Sequence, residues 1–548
     1  MSETELKLST SPAHINNLRQ ALESMGISST PVISSLTASY YDSADLKLWR
    51  QGLSLRVRDE GGRRVQTLKS SDFHKGDFLS RGEWEDVIAG DRPDFVAPET
   101  GPRLRNVVLS DELRPLFKTI VRRTVIALEP RPSTRIVAAI DEGEIRAAGT
   151  NGASESLCEI ELELKDGDPA AIYDVAMHLV GVAPFRIEAR SKAARGYRLV
   201  ATDGVADSAV YAPRVVLHGS MTVESVLQSV GRSGITYLLR NEPAALAGQP
   251  EAVHQMRVAA RRLRAALSAL KPMIPADQYS WALGELKWLA ATLGPARNWD
   301  VFTGSLLKPV ERALPVEGDL KRLAEVAEQR RGEAYKRAKE GIESERYTAT
   351  VVQLARWFEA RGWRDQPASE QAALLFATIG NVAPGLIERR WRRTRQRSRQ
   401  FGNLSQEQRH KLRIALKKLR YTIEFLGDLF NPGKVKALEK RLKPLQEDLG
   451  HLNDIRTAHL LVEEVSRDVN EGGNEISRAG GIVLGWHDRG MTDHEPKLRK
   501  DVRRLRRAKP FWPPTELHLG TQTTHPPASA VASHQASQTP EMDTAGAS

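Results

Sequence analysis

Two fifteen-residue segments, VHQMRVAARRLRAAL (253–267) and RHKLRIALKKLRYTI (409–423), align without a gap at an offset of 156 residues. LKWLAATLG (286–294) and LKPLQEDLG (442–450) repeat at the same offset. Such a repeat restricts this part of the chain to two copies of one helical unit. Met256, Ala260, Leu263, Leu267 and Leu270 match Leu412, Leu416, Leu419, Ile423 and Leu426, an apolar stripe at helical spacing. A second stripe carries His254, Arg257, Arg261 and Arg264, matched by His410, Arg413, Lys417 and Arg420. Their spacings of 3, 7 and 10 put each set on one side of a helix. Neither stripe contains an acid, whereas solvent-facing helices usually interleave charges of both signs. The run ERRWRRTRQRSR (388–399) adds further positive charge. Arrays of this kind bind phosphates through charge-assisted hydrogen bonds.

The first 203 residues read differently. ETELKL (3–8), LSLRVR (53–58), RVQTLK (64–69), RGEWEDV (81–87), TRIVAAID (134–141) and CEIELELK (158–165) alternate or are rich in β-branched residues, the pattern of strands. Helical stretches interrupt them around His14–Met25 and Ala170–Val180. Charge divides at the same place. Residues 1–203 hold 27 Lys/Arg against 30 Asp/Glu, and residues 204–512 hold 53 against 36. A net charge of that size on the second half suggests a polyanionic partner. No apolar run approaches the ~20 residues that span a bilayer, and the N-terminus lacks a signal-peptide layout. The single Cys158 excludes an internal disulfide, suits a reducing cytoplasm and reads as a packed cysteine beside an apolar-alternating run.

The strands carry the chemistry. Glu3, Glu5 and Lys7 share one face of the first strand, and Glu159, Glu161, Glu163 and Lys165 share one face of CEIELELK. Adjacent carboxylates repel, and a divalent cation removes that penalty; Mg²⁺ and Mn²⁺ favour carboxylate oxygens and keep sites for phosphate. Other strands supply the opposite sign through Arg56, Arg58, Lys69, Arg81 and the pair Arg122–Arg123, of which alternation lets only one face inward. Acids on two strands and bases on several others are reconciled if the sheet closes around a wet interior holding a metal-bound polyphosphate.

These motifs carry a resemblance. ETELK, YYDSADLKLWRQGLSLRVR (40–58), TLK (67–69), RGEWE (81–85), CEIELELKDGDP (158–169) and SKAARGYRL (191–199) together resemble a CYTH domain, the family of triphosphate tunnel metalloenzymes. The helical half, through its two H-x-x-R-x-x-x-[RK]-[RK]-L-R segments and two LG segments, resembles a CHAD domain, a histidine-bearing module associated with polyphosphate. The resemblance implies a two-domain α+β chain: a closed, antiparallel, eight-stranded β-tunnel with flanking helices, followed by an all-α duplicated bundle. The expected layout is the tunnel domain over 1–203, a linker at 204–214, the helical domain over 215–512 and a disordered tail over 513–548.

Carried over by position, Glu3, Glu5, Glu161 and Glu163 would hold Mg²⁺ or Mn²⁺, with Glu159 beside them and Asp141 a further tunnel acid. Lys7, Arg56, Arg58, Lys69, Arg81 and Arg123 (or Arg122) would cradle phosphates, joined by Lys192 and Arg195 from a helix near one mouth. Glu5, Lys7 and Glu161 are the expected catalytic residues. His254, Arg257, Arg261, Arg264, His410, Arg413, Lys417 and Arg420 would contact polyphosphate. CYTH proteins fused to CHAD domains resemble inorganic triphosphatases, so the expected reaction is hydrolysis of inorganic triphosphate to pyrophosphate and phosphate. Competing readings are a slow or non-catalytic polyphosphate-binding protein, and a thiamine triphosphatase or adenylate cyclase on the same tunnel. Inorganic triphosphate and polyphosphate are the expected partners rather than nucleic acid or membrane, with a cytoplasmic location at polyphosphate granules. One departure stands out: LGPARNWD (293–300) has Asn298 where the family has an acid, while LGHLND (449–454) keeps Asp454.

Overall fold

The computed structural model describes residues 4–27, 31–70, 82–149, 152–200, 208–213, 215–315, 318–468 and 473–514. Glu3, Arg81 and nearly all of the expected disordered tail lie outside the described residues. The alternating segments of the first half form one sheet of nine strands. They are β1 (Thr4–Ser9), β2 (Val32–Asp42), β3 (Leu53–Glu60), β4 (Arg63–Ser70), β5 (Gly82–Ile88), β6 (Arg114–Arg131), β7 (Thr134–Ala147), β8 (Ser154–Asp166) and β9 (Arg186–Ile187). Their spatial order is β5-β4-β3-β2-β6-β7-β8-β1-β9, and neighbours run antiparallel.

This differs from the closed eight-stranded tunnel. There is a ninth strand, and among the described residues the end strands β5 and β9 are not neighbours, so the sheet stays open. The ninth strand supplies part of the reason. It pairs with β1 at Leu8 and Ser9, and the Glu188 N–H donates to the Lys7 carbonyl at 2.9 Å. The edge of β1 that a closing strand would need is thereby engaged.

Residues paired across an antiparallel ladder point to the same face. One face of β1, β8 and β7 is apolar: Leu6, Leu8, Ile160, Leu162, Ala138 and Ile140 are buried there against the helices Ile15–Met25 and Ala170–Val180. The opposite face changes character along its length. At one end Tyr40, Phe117, Val121, Ile145 and Leu157 form a small apolar cluster with Ala193 and Tyr197 of the helix Lys192–Val200. Beyond that cluster the same face is charged.

In the second half, the two repeat segments become the helices Pro250–Leu270 and Gln406–Leu426, each 21 residues long and displaced by 156. They pack against each other, with the shared apolar stripe buried. The copies diverge next. In the first copy one helix ends at Thr292 and another begins at Gly294, with Pro295 in its first turn. The second copy runs unbroken through Pro432–Asp468. The two halves dock where Ala170–Val180 meets the helix Glu345–Glu359, and Thr348 Oγ1 donates to the Phe185 carbonyl at 3.0 Å. Among the described residues no helix is long and apolar enough to cross a membrane.

Candidate active site

Strand register gathers the acids and bases singled out in the sequence. Glu5 lies opposite Glu163 and Lys7 opposite Glu161 across β1 and β8. Glu159 lies opposite Asp141 on β7, and Asp141 opposite Arg123 on β6. Arg123 pairs with Ser34 and continues through Ala38 and Tyr40 on β2 to Arg58 and Arg56 on β3. Arg56 faces Thr67 and Ser54 faces Lys69 on β4, and these meet Glu85 and Glu83 on β5. Parity therefore puts all of them on one face. It also resolves the ambiguous pair: Arg123 points to the charged face, whereas Arg122 lies on the opposite face in a groove with Ser35, Thr37, Glu142 and Glu144.

At the centre, Asp141, Glu159 and Glu161 are buried and turn one oxygen each to within 4.8 Å of one another. Arg123 forks onto Asp141, with Nε and Nη2 each 2.7 Å from a carboxylate oxygen, and Nη2 also reaches Glu161 Oε2 at 2.6 Å. Lys7 Nζ contacts Glu161 and lies 2.8 Å from Glu5 Oε1. Lys192 Nζ lies 2.8 Å from Asp141 Oδ2, 2.8 Å from Glu161 Oε1 and in contact with Glu159. Arg195 donates to Glu159 Oε2 at 3.0 Å, Glu155 Oε1 at 2.7 Å and the Ser156 carbonyl at 3.0 Å.

This ion lattice governs protonation. Burial alone would lower the Lys192 and Lys7 ammonium groups, but the carboxylates around them outweigh it and hold both above the ordinary lysine range. Burial alone would raise Glu161, but Lys192, Lys7 and Arg123 hold it well below the usual carboxylate range. Glu159 moves the other way, because burial outweighs Lys192 and Glu161 repels its charge. The donor set is all carboxylate oxygen, which suits a hard divalent cation.

The basic half of the face is less crowded. Lys69 Nζ is 2.8 Å from Glu83, and Arg56 Nη2 is 3.6 Å from Glu83 and 3.8 Å from Glu85. Burial and then Arg56 lower the Arg58 guanidinium. The sequence motifs alone assign no role to Glu83, Glu85 and Glu155. The alternation in Arg81-Gly-Glu-Trp-Glu carries the signal for the first two, whereas Glu155 becomes evident only through Arg195. Cys158 is buried on the apolar side, where burial pushes its thiol up to about 11.

The helical stripes also converge, but with few acids. Burial, Arg413 and Arg261 push Lys417 down to about 7, with Asp454 opposing and Arg257 adding to the repulsion. Burial, Arg261 and Arg297 push Arg257 down to about 10, and burial with Arg297 pushes His254 down to about 4. Buried His254 Nδ1, Arg261 Nε and Arg413 Nε have no hydrogen-bond partner among the described residues. The other contacts are to neutral acceptors: Arg257 to the Ala290 carbonyl at 2.6 Å, Arg413 to Asn453 Oδ1 at 3.1 Å, and Arg420 to Gln446 Oε1 at 3.2 Å. A second basic cluster surrounds Lys418, lowered to about 8 by burial and by Arg390, Arg393, Arg397 and Arg264. Bases paired with acids on the sheet thus contrast with helical bases that have few acids beside them.

Known proteins divide the chain in the same way. Residues 1–197 match the CYTH domain and residues 231–463 the CHAD domain. Over 205 residues the chain is 31% identical to an inorganic triphosphatase of Haemophilus influenzae, an alignment covering 36% of this chain and 55% of that protein. The chain thus spans about half the length of that relative. An "uncharacterized protein" of Mycobacterium tuberculosis is 26% identical over 399 residues, 68% of this chain and 71% of the relative. The crystal structure of the CHAD domain from the plant Ricinus communis superposes with a TM-score of 0.48 at 25% identity, covering 55% of this chain and 98% of that one.

Proposed function

The chain joins a CYTH domain to a CHAD domain, and on that premise we propose that the charged sheet face hydrolyses inorganic triphosphate to pyrophosphate and phosphate while the helical half binds polyphosphate. One observation carries the reading: a single face brings Glu5, Glu161 and Glu163 together with Lys7, Arg56, Arg58, Lys69 and Arg123. Triphosphate carries roughly four to five negative charges near neutral pH and needs such a cationic surround.

The bases of β3, β4 and β6 hold the phosphate chain in line, and Lys7 meets it beside the acids. Water attacks the terminal phosphorus; a P–O bond forms, the anhydride bond breaks, and pyrophosphate leaves as a carboxylate of β1 or β8 takes the water's proton. Glu5, Glu161 and Glu163, with Glu3 outside the described residues, would hold Mg²⁺ or Mn²⁺. Such a bound cation neutralises phosphate charge and polarises phosphoryl oxygens. Arg257, Arg261, Arg264, Arg413, Lys417 and Arg420, with His254 and His410, form the polyphosphate surface, which would bring the chain to polyphosphate granules.

The test is phosphate release from inorganic triphosphate, ATP and thiamine triphosphate, with Mg²⁺, with Mn²⁺ and with a chelator. Metal-dependent release fastest from inorganic triphosphate is expected. Equal rates with chelator, or turnover no faster than metal alone alongside tight polyphosphate binding, would replace the hydrolase with a binding protein.

A further inference from the structure

The position among Asp141, Glu159 and Glu161 that suits a divalent cation is filled by an ammonium, Lys192 Nζ, which reaches all three carboxylates. The other oxygens are engaged as well. Arg123 takes both oxygens of Asp141 and Glu161 Oε2, and Arg195 takes Glu159 Oε2. Three carboxylates therefore meet three side-chain cations before Lys7 is considered. A divalent ion entering this cage must expel one of them or leave the buried cluster with excess positive charge.

Expelling Lys192 is made difficult by its helix. Gly196 abuts the Phe117 ring so closely that no Cβ fits between them. Tyr197 stacks on Trp49 with centroids 4.4 Å apart, and its hydroxyl donates to buried Asp42 at 3.0 Å. Asp42 is itself held by the backbone N–H groups of Leu48 and Trp49, each at 2.9 Å. The helix that delivers the ammonium is thus fastened to two strands and to the segment after β2.

The neighbouring acids differ. Glu5 and Glu163 face each other across β1 and β8 and are more exposed, at 15% and 26%. Their ammonium contacts, Lys7 and Lys165, each come from the same strand two residues on. We propose that Lys192 is the resident cation of the Asp141–Glu159–Glu161 cage and confines divalent metal to the outer carboxylates Glu5 and Glu163. Lys192 is then a positioning residue, and the metal-holding set proposed above narrows to Glu5 and Glu163, Glu161 orienting Lys7 and Arg123 instead of ligating. This rests on the metal-dependent reading of the same face and narrows it.

The experiment counts bound Mn²⁺ per full-length chain by the loss of the free-ion paramagnetic resonance signal, without substrate. Lys192→Met is expected to bind one Mn²⁺ more than wild type and to show a larger Mn²⁺-dependent rise in melting temperature than wild type. Asp141→Asn is expected to keep the wild-type count, and Glu163→Gln to lower it. A Lys192→Met count equal to wild type, or a lost Mn²⁺ in Asp141→Asn, would overturn the proposal; the second arm decides if Lys192→Met does not fold. A wild-type chain that binds no Mn²⁺ would instead defeat the metal-dependent function, while an ion gained by Lys192→Met would still establish the cage.

Discussion

The sheet face and the helical stripes are built from the same basic residues, yet the buried lysines of the two shift in opposite directions. On the sheet, Lys7 and Lys192 are held above their ordinary range because buried carboxylates surround them. On the helices, Lys417 falls to about 7 and Arg257 to about 10, because burial acts there with like charges and few acids. A buried cation costs free energy in either place. The sheet offsets that cost with its own carboxylates, whereas the helices hold few acids to offset it. The lesson is that density of positive charge does not by itself describe an anion's surroundings: a phosphate on the sheet face must share its bases with resident carboxylates, whereas the helical bases have few acids beside them.

The sharpest way to break this contrast is to remove one charge from each side. Glu161→Gln strips a shared acid from Lys7, Lys192 and Arg123 and should destabilise the chain by about 3–5 kcal/mol, the range for breaking a buried pair, read by urea denaturation. Lys417→Met should be neutral or stabilising; equal losses from the two variants would end the distinction.

Within the sheet, Arg123→Ala should lower phosphate release roughly 10²-fold, the scale for losing one transition-state donor. Arg122→Ala, changed on the opposite face, should stay within about twofold of wild type. Comparable losses from both would show the register argument to be wrong. On the helices, replacing Arg257, Arg261, Arg413 and Lys417 together by Ala should weaken polyphosphate binding. It should also shrink the log–log salt slope by roughly three, as expected for four lost phosphate contacts; an unchanged slope would move the site elsewhere.

Protonation gives a subtler measure. The pKa of Lys417 in the folded chain, about 7, lies below its ordinary 10.5. Its charge therefore destabilises the free protein fully below about pH 7, and that penalty fades as pH rises toward 10.5. The stability deficit of wild type relative to Lys417→Met should shrink over that window. Polyphosphate binding at pH 8 should take up protons, visible as a buffer-dependent calorimetric heat, and should weaken as pH rises. Proton release on binding would contradict this. The smallest effect is expected from Asn298→Asp, which puts an acid at the half-buried position equivalent to Asp454 and should weaken polyphosphate binding about threefold, the scale of a single weak ion-pair interaction.

Much of this arrangement was legible before any fold was known, and for local reasons. The two periodicities separate the strand half from the helical half, and the 156-residue repeat returns as two helices of equal length. Glu5 with Lys7, and Glu161 with Glu163, could each be assigned to one strand face because alternation along a single strand is a local property; the pairing of β1 with β8 then brings the two sets together. Arg122 and Arg123 could not be separated that way. Which of two adjacent residues faces inward depends on which strand lies alongside, and only the pairing of Arg123 with Asp141 and Ser34 decides it. The open sheet was equally hidden, since the two-residue β9 has no periodicity to detect yet occupies an edge of β1.

By itself, the sequence determined the kinds of charge, their spacing along each element and the duplication of the basic helix, because these follow from covalent order and backbone period. Only the tertiary structure decided which charges cancel. Lys192 is separated by more than thirty residues from Glu159 and Glu161 and by fifty-one from Asp141, and the docking of Gly196 and Tyr197 against Phe117 and Trp49 brings its ammonium into their midst. Coulomb energy depends on distance and burial rather than on sequence separation, so whether a run of like residues becomes a neutral lattice or an open cationic surface is settled when the elements pack.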